Sequence, residues 1–318
     1  MTSIATTVTP GTEIQVASFY RFVDIADPAA LGAELGALAR ELALRGTVLL
    51  AYEGLNASIA GTPAAIAALL DSLRARPGFA PLMDLRLSRH DAPPFRRFKV
   101  KLKAEIVTLG QPGIAPARAT GTHVPPAAWN ALIDQPDVLL VDTRNDYEVR
   151  IGTFAGAHAL DIARFRDFPA QMQAALERSG AKRVAMFCTG GIRCEKASAW
   201  LLTQDVEVYQ LEGGILRYLE EVPLADTRWR GECFVFDERV ALKADLTPGE
   251  HSLCHACRRP LSAADRASPL HVAGVSCPYC HAELDAARRR AFDERRRQVE
   301  LAAARGVAHL GAVMAEIE

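Results

Sequence analysis

The chain has 318 residues, of which 49% are hydrophobic and 24% charged, a composition typical of folded globular domains rather than of a disordered chain. Its formal net charge of −1 gives no general affinity for nucleic acid, so any such role must come from local basic patches. No apolar run approaches the ~20 residues that cross a bilayer, and the N-terminus lacks the pattern of a secretory signal. Because the seven cysteines are clustered in a way typical of a reducing compartment, we expect a cytoplasmic protein with no membrane partner.

Residues 13–110 alternate between strand and helix patterns. Strands are predicted at IQVASFYRFV, on both sides of Glu53-Gly54 in TVLLAYEGLNASIAG, at LMDLRLS and at FKVKLKAEIVTL, with helices over 28–44 and 63–76. The order β-α-β-β-α-β predicts a ferredoxin-like or acylphosphatase-like sandwich. The next segment, QPGIAPARATGTHVPP, is rich in proline and glycine and is predicted to be a linker.

A second α/β unit is predicted over 125–225. VLLVD and VAMF are continuous apolar runs, typical of strands that are covered on both faces, and VEVYQL predicts a further strand. Helices are predicted near 145–150, from about Glu195 onward, and at EGGILRYLEE. Strands that alternate with helices imply a parallel sheet with right-handed crossovers.

Residues 226–318 have a different character. GECFVFDERVAL predicts a strand or hairpin, and an Ala-, Arg- and Glu-rich helix is predicted over 281–304. Between them lie two CxxC pairs separated by nineteen residues, formed by Cys254, Cys257, Cys277 and Cys280. Four thiolates delivered in two pairs are typical of structural zinc, so we predict a small zinc-ribbon-like region with a helical tail. His255 and His281 are alternative ligands.

The residues from Cys188 to Arg193 connect the buried strand VAMF to a helix. Unpaired amides and the positive end of the helix dipole favour an anion there, and they make a thiol more acidic. Gly190 and Gly191 let successive amides turn inward, and Arg193 adds a fixed positive charge. We therefore predict that Cys188 is a nucleophile assisted by Arg193. The residues between them are predicted to contact substrate: Thr189, Gly190, Gly191 and Ile192.

Here the sequence resembles rhodanese domains. FCTGGIRCEKAS is similar to their active loop, whose first cysteine carries a persulfide during sulfur transfer. VDTRNDYEV resembles the family's Asp-x-Arg-x-x-x-Glu element at Asp142, Arg144 and Glu148, GTFAGA resembles its Gly-His-Ile-Pro-Gly-Ala turn with departures at Thr153 and Phe154, and LEGGILRY resembles its closing helix. Asp142 and Arg144 are expected to hold the base of the loop through an ion pair, and they are also candidates for substrate contact.

Two details of the loop bear on its chemistry. Related phosphatases place five residues between cysteine and arginine, whereas this chain has four, so phosphatase activity is not expected. Cys194 follows the loop directly. It could resolve a persulfide or sulfenic acid on Cys188, because thiolates attack such sulfur centres, or it could be a small buried residue in the first helical turn.

A basic strip is predicted before the linker. FRRFKVKLKAEI places three lysines on one face of a strand, alternating with apolar residues. With two preceding arginines they could follow a phosphate backbone. The alternative is a solvated edge strand whose lysines oppose aggregation. The strip comprises Arg96, Arg97, Lys99, Lys101 and Lys103.

Along nearly its whole length the chain resembles the rhodanese-domain tRNA uridine hydroxylases, which install 5-hydroxyuridine at the wobble position in an oxygen-dependent reaction. The resemblance implies that tRNA is the substrate, that molecular oxygen is a co-substrate and that Cys188 is the reactive residue. AYEGLNASIAG also resembles the family's N-terminal domain, which makes Glu53 and Asn56 of interest. No flavin or NAD motif is recognisable, and the electron donor is not identified by the sequence.

Two other functions stay open. A rhodanese-type sulfurtransferase would move sulfur through a persulfide on Cys188. A non-catalytic RNA-binding adaptor would keep the basic strip and the CxxC pairs and use the rhodanese domain as a scaffold. The intact loop argues against the adaptor, because a scaffold has no need of a reactive thiol.

Overall fold

The computed structural model describes residues 13–90, 94–237 and 239–306. These residues form an N-terminal α/β sandwich, a central unit built on a parallel sheet, and a C-terminal region of short hairpins and helices. The predicted fold class is confirmed.

The N-terminal sandwich consists of β1 (Ile14–Phe22), α1 (Pro28–Glu41), β2 (Arg45–Ala51), β3 (Gly54–Gly61), α2 (Pro63–Arg74), β4 (Met83–His90) and β5 (Phe98–Leu102). Its sheet has the order β4-β1-β3-β2-β5, and both helices pack their apolar side chains against one face. Neighbouring strands are antiparallel except β5, which lies parallel to β2 at the edge.

Local signals in the sequence explain the helix ends. The Asp27 side chain accepts hydrogen bonds from the first amides of α1, and Thr62 does the same for α2. Pro28 and Pro63 occupy the first helical turn, where no amide hydrogen is needed. Helix α1 ends before the predicted residue 44, because Ala43 adopts a left-handed φ of 52°.

Strand β5 is shorter than the predicted strand FKVKLKAEIVTL. The chain leaves the sheet after Lys103, whose amide still bonds the Leu50 carbonyl at 2.8 Å. Residues 104–110 then cross to the central unit, where Leu109 joins the core. The Glu105 carboxylate accepts hydrogen bonds from the amides of Leu109 and Gly110, which folds this segment into a compact turn instead of a strand.

The central unit consists of β6 (Thr122–Val124), α3 (Pro126–Ile133), β7 (Val138–Asp142), α4 (Asp146–Val149), β8 (Gly152–Phe154), β9 (His158–Ala159), a 3₁₀ turn (Phe165–Asp167), α5 (Phe168–Ser179), β10 (Arg183–Phe187), α6 (Ile192–Leu201), a second 3₁₀ turn (Leu202–Gln204), β11 (Glu207–Leu211) and α7 (Gly214–Glu221). The sheet order is β6-β11-β10-β7-β9, with every described pairing parallel. Apolar cores lie on both faces, as the continuous apolar strands predict.

Two predictions for this unit are corrected. The end of the predicted linker is strand β6, which pairs with β11; its sequence THV is too short and polar to be recognised as a strand. Helix α6 begins at Ile192 and not near Glu195. Ile192 and Arg193 therefore belong to the first helical turn, next to the loop amides.

The C-terminal region contains β12 (Trp229–Gly231), β13 (Cys233–Phe234), β14 (Ala241–Leu242), β15 (Ser252–Leu253), β16 (Pro260–Leu261), α8 (Ala263–Ala267) and α9 (Ala286–Ala304). Strand β12 pairs with β8 and so joins this region to the central unit. Helix α9 is capped by Asp285 and begins later than the predicted residue 281. The rest of the predicted tail, residues 307–318, lies outside the described residues. Within the described ranges no helix is long and apolar enough to cross a membrane.

Candidate active site and candidate metal site

The loop after β10 surrounds the Cys188 sulfur with backbone amides. The Gly191 amide donates a hydrogen bond to Cys188 Sγ at 3.1 Å, and the amides of Arg193 and Cys194 also donate to it. Gly191 has a φ of 92°, which glycine adopts without strain. The loop is therefore an anion nest of the kind that the two glycines and the helix start predict.

These donors make Cys188 an acidic thiol in spite of its burial. Burial alone would raise the pKa of Cys188, since it disfavours the thiolate. The hydrogen bond from the Cys194 thiol, the positive charge of Arg193 and the amides outweigh burial and lower the pKa to about 6. At neutral pH the sulfur is therefore mostly the thiolate, the form that acts as a nucleophile.

Cys194 is the less acidic thiol of this pair. It is buried, and burial together with the neighbouring Cys188 thiolate raises the pKa of Cys194 well above its usual value. The Thr143 hydroxyl lies 3.7 Å from Cys194 Sγ. Both predicted roles for Cys194, resolving thiol and small buried residue, are compatible with this position.

Arg193 is paired with Glu148, for which the sequence predicted no role of its own. The guanidinium makes two hydrogen bonds with the Glu148 carboxylate, at 2.5 and 2.8 Å, and both side chains are buried. Thr189 Oγ1 lies 3.4 Å from the same guanidinium. Because Glu148 compensates its charge, Arg193 fixes the loop and polarises the Cys188 sulfur more than it offers a free anion site.

Helix α7 closes the loop from the opposite side. Its first amides, of Ile215 and Leu216, donate to the carbonyls of Cys188 and Thr189 at 2.9 and 3.2 Å. A Cβ at Gly214 would lie 2.5 Å from the Cys188 carbonyl oxygen, so only glycine fits. The Gly-Gly of LEGGILRY therefore allows close contact between this helix and the loop.

Asp142 and Arg144 form an ion pair in the core. Arg144 Nη2 lies 2.7 Å from Asp142 Oδ2 and 2.5 Å from the Gly152 carbonyl oxygen, and Thr153 Oγ1 donates to the same Asp142 oxygen at 2.7 Å. The exposed fractions of Asp142 and Arg144 are 0% and 1%. Two roles were predicted for this pair, an ion pair at the base of the loop and contact with substrate. The geometry supports the ion pair.

The N-terminal sandwich covers the loop. Cys188 has an exposed fraction of 0%. Ile192 packs against an apolar cluster of the sandwich and the following segment, made of Tyr20, Phe22, Ala51 and Ile106. A Cβ at Gly191 would lie 2.9 Å from the Tyr20 hydroxyl, so the sandwich and the loop are in direct contact. Reagents can reach the sulfur only when this cover or the loop opens locally.

A buried lysine ties the cover to α6. Lys196 Nζ lies 2.6 Å from carboxylate oxygens of both Glu53 and Glu105, and Lys196 is 2% exposed. Glu53 also accepts a hydrogen bond from the Ile106 amide at 2.8 Å. Glu53 is thus part of the domain contact, whereas Asn56 lies on β3 opposite Tyr20.

A second polar cluster lies beside it on α6. Glu195 accepts a hydrogen bond from the Tyr20 hydroxyl at 3.2 Å and lies 2.9 Å from His123 Nε2. Gln210 contacts both His123 and Glu195, at 2.7 and 3.2 Å. The hydrogen bond with Glu195 raises the pKa of His123, although burial opposes the shift.

The basic strip lies at the free edge of the N-terminal sheet. Its lysines, Lys99, Lys101 and Lys103, are exposed along and just after β5. The structure adds Arg40 and Arg45 to the strip. Together with Arg96 and Arg97 they line a cleft of about 760 Å³ between α1 and β5. Within the described part of the chain none of these four arginines has an ion-pair partner.

The four cysteines of the CxxC pairs converge in the C-terminal region. The sulfurs of Cys254, Cys257, Cys277 and Cys280 all lie within 4.8 Å of one another and could hold a metal ion; neither His255 nor His281 belongs to the group. Cys277 Sγ lies 3.7 Å from Cys257 Sγ and 3.6 Å from Cys280 Sγ. A tetrahedral site with Zn–S bonds of ~2.3 Å has sulfur separations of about 3.8 Å, so the donor set fits zinc.

Comparison with known proteins agrees with this architecture. Residues 14–106 match the UPF0176 acylphosphatase like domain, and residues 125–221 match the rhodanese-like domain. A tRNA uridine(34) hydroxylase from Gluconobacter oxydans (strain 621H) is 50% identical over 303 residues, which cover 94% of this chain and 96% of that protein. A tRNA uridine(34) hydroxylase from Caulobacter vibrioides (strain NA1000 / CB15N) is 49% identical over 308 residues, which cover 94% and 97%.

The chain belongs to the tRNA uridine(34) hydroxylase family. The family predicted from the sequence is thereby confirmed.

Sequence reasoning missed three groups of residues at this site. Glu148 was visible within the Asp-x-Arg-x-x-x-Glu element, but its partner Arg193 is 45 positions away. Glu195 and Lys196 lie just after Cys194 in helix α6. A charged pair in a helix that packs into a core was a signal of buried partners. Tyr20 lies in an ordinary strand sequence and gave no signal.

Proposed function

We propose that this chain hydroxylates carbon 5 of uridine 34 in tRNA and uses Cys188 as its nucleophile. The observation that carries the proposal is the Cys188 sulfur, which accepts a hydrogen bond from the Gly191 amide at 3.1 Å. This loop belongs to a chain that is 50% identical, over 94% of its length, to a protein named tRNA uridine(34) hydroxylase.

The chemistry needs an electron-rich carbon 5. In our proposal the Cys188 thiolate adds to carbon 6 of the uracil ring, and the electron pair of the double bond moves toward carbon 5 and the carbonyl oxygen. Carbon 5 then bonds to dioxygen to give a hydroperoxide, and a two-electron reductant cleaves its O–O bond, which leaves a hydroxyl group on carbon 5. Loss of the proton from carbon 5 and departure of the thiolate restore the double bond.

The electron balance requires a reductant. One oxygen atom of dioxygen enters the uracil and the other becomes water, which consumes two electrons and two protons. A donor of the thiol class would satisfy this balance, since two thiols become one disulfide. We propose that Cys194 protects the site: if Cys188 becomes a sulfenic acid, the Cys194 thiol attacks it, and a disulfide and water form.

The exposed basic strip is the proposed tRNA-binding surface. Strand β5 runs from the arginine cleft toward the end of β2, and that end lies next to the cluster that covers the loop. Phosphates bound along Arg96, Arg97 and the three lysines would therefore approach the loop. Thr189, Gly190, Gly191 and Ile192 would meet the substrate once the cover opens.

The salt dependence of binding tests this surface. Replacing Lys99, Lys101 and Arg97 together by alanine should weaken tRNA binding and reduce the slope of log K against log salt by about 1 for each phosphate that the variant no longer neutralises. The control is Lys243→Ala, because Lys243 pairs with Glu250 in the C-terminal region. An unchanged slope in the triple variant would contradict tRNA binding by the strip and favour the alternative of a solvated edge strand.

For the four-cysteine cluster we propose structural zinc. Zinc is redox-silent, so in this proposal it organises the C-terminal region and takes no part in oxygen chemistry. The reaction on tRNA and the seven free cysteines support a cytoplasmic location.

The decisive experiment is mass spectrometry of tRNA nucleosides from cells that carry either the wild-type protein or Cys188→Ser. We expect 5-hydroxyuridine to disappear with Cys188→Ser and to persist with Cys233→Ala, a control at another buried cysteine. Undiminished product in the Cys188→Ser cells would remove the nucleophile from the proposal. Thiosulfate-to-cyanide turnover by a wild-type protein that leaves tRNA unchanged would favour a sulfurtransferase.

A further inference from the structure

An exposed aromatic ring lies beside the Cys188 loop. Phe236 is 67% exposed, although it lies only two residues after the end of the buried strand β13. Its ring lies 5.9 Å from the Arg193 guanidinium, the same group that polarises Cys188. Arg193 therefore borders both the reactive sulfur and this ring.

The ring is held in place from below. Phe236 packs edge-to-face on Phe234 with centroids 5.1 Å apart, and Phe234 packs in the same way on Tyr147 at 5.3 Å. The described residues on both sides of the ring are joined by hydrogen bonds, among them those from the Val235 amide to the Val240 carbonyl at 2.9 Å and from the Arg239 amide to the Asp237 carboxylate at 3.0 Å. The ring is therefore supported by aromatic packing while most of its surface is open to solvent.

We propose that Phe236 is the platform on which the target uracil stacks, an inference that rests on the proposed function. An enzyme that modifies a base must hold that base outside the helical stack, and an aromatic ring replaces the stacking that the base loses. Phe236 lies next to Arg193 and on a different element from Tyr20, which covers the loop. A base stacked on Phe236 would therefore lie on the way to Cys188. Phe236 would act as a positioning residue for the base.

Base-specific coupling tests the inference. Binding of anticodon stem-loop RNA would be measured for the wild-type full-length protein and for Phe236→Ala, with either uridine or an abasic residue at position 34. Phe236→Ala should weaken binding of the uridine RNA by about 5- to 150-fold, as expected for the loss of one stacked base, and leave binding of the abasic RNA unchanged. Leu224→Ala, at another exposed apolar residue, is the matched control and should change neither affinity.

A second variant gives a direct readout. Phe236→Trp should restore the affinity and place an exposed indole in a protein whose own tryptophans, Trp129, Trp200 and Trp229, are buried. Its fluorescence should respond to the uridine RNA and not to the abasic RNA. An equal loss of affinity for both RNAs in Phe236→Ala, or an identical response of Phe236→Trp to both, would overturn the inference.

The two proposals fail in different ways. A wild-type protein that produces no 5-hydroxyuridine contradicts the proposed reaction. A wild-type protein that produces it while the coupling between Phe236 and the base is zero contradicts only the stacking role.

Discussion

The chain contains two groups of cysteines that differ in what surrounds each sulfur. Around Cys188 the neighbours are amides, a guanidinium and one further thiol, and together they lower the pKa of that single sulfur to about 6. Around Cys254 and its three partners four sulfurs converge within 4.8 Å of one another, and the Cys277 amide also donates to Cys280 Sγ at 3.3 Å. Cys254, Cys277 and Cys280 are as buried as Cys188, and Cys257 is partly exposed, so burial alone does not decide what a cysteine does.

The difference shows how neighbours assign the role of a thiol. One thiolate among hydrogen-bond donors is stabilised and stays available to an electrophile. Four thiols that converge repel one another once ionised, and they need a cation to neutralise them. The first arrangement suits covalent chemistry and the second suits a structural metal.

Metal removal should give the largest contrast between the two groups. Structural zinc contributes an apparent binding free energy of about 10–16 kcal/mol in small domains, so a chelator should unfold the region around Cys254 and Cys277. We expect fast amide hydrogen exchange there, measured by mass spectrometry, and no change in the peptide that contains Cys188. Protection that survives the chelator in both peptides would refute a structural metal.

Glu148→Gln should disturb only the loop. The substitution leaves the Arg193 guanidinium buried without a counter-charge, and we expect the free energy of unfolding in urea to fall by about 3–5 kcal/mol. Metal content should stay the same. Asp146→Asn is the control, because the exposed pair of Asp146 with Arg150 contributes less than ~0.5 kcal/mol. Equal losses of unfolding free energy in the two variants would mean that the buried Arg193–Glu148 pair stabilises the protein no more than the exposed Asp146–Arg150 pair.

Cys194→Ala should change the acidity of the Cys188 thiol. Without the hydrogen bond from Cys194, the pKa of Cys188 should rise from about 6. The thiolate exists above this pKa, so the acid limb of the pH–rate profile for 5-hydroxyuridine formation should move to higher pH. For a rise of about one unit, the rate near pH 6 falls about fivefold, while the rate at pH 9 hardly changes.

The control for this profile is Cys233→Ala, because burial raises the pKa of Cys233 to about 12 and keeps it a neutral thiol. Its pH profile should match that of the wild type. A Cys194→Ala profile with the wild-type midpoint would show that Cys194 does not control the acidity of Cys188.

The smallest effect is expected at His123. Its pKa is raised in the folded protein by Glu195, so its protonated form is stabilising; this contribution is complete below the unfolded pKa of ~6.5 and is lost as pH rises through the folded pKa. His123→Gln should lower the Tm by on the order of 1–2 °C at pH 5.5 and by less at pH 8.5. A difference that grows toward high pH would contradict this assignment.

The sequence predicts those parts of the molecule that depend on near neighbours. The loop from Cys188 to Arg193, the alternation of strands and helices, and the CxxC spacing are all local patterns, and they were sufficient for the fold class. Strand β6 was missed because the residues THV become a strand only by pairing with β11. The beginning of α6 was placed too late, because glycines in the loop hide the first helical turn.

The long-range contacts around the Cys188 loop could not be predicted from local sequence patterns. Glu148 with Arg193, and Lys196 with Glu53 and Glu105, join residues that are far apart in the chain. Their geometry depends on how the sandwich packs against the central unit. Phe236 is hidden for another reason, since a single phenylalanine in a hairpin sequence is expected to be buried.

The Lys196 ammonium has a consequence for how this protein can be divided. An isolated rhodanese unit, cut away before β6, would carry that cation without its two carboxylates and would expose the apolar surface of Ile192 to water. The rhodanese unit therefore depends on its N-terminal neighbour to neutralise Lys196 and to cover Ile192. A recombined protein that joined this rhodanese unit to an unrelated domain would need two carboxylates in the positions of Glu53 and Glu105. The two domains are therefore expected to be inherited together.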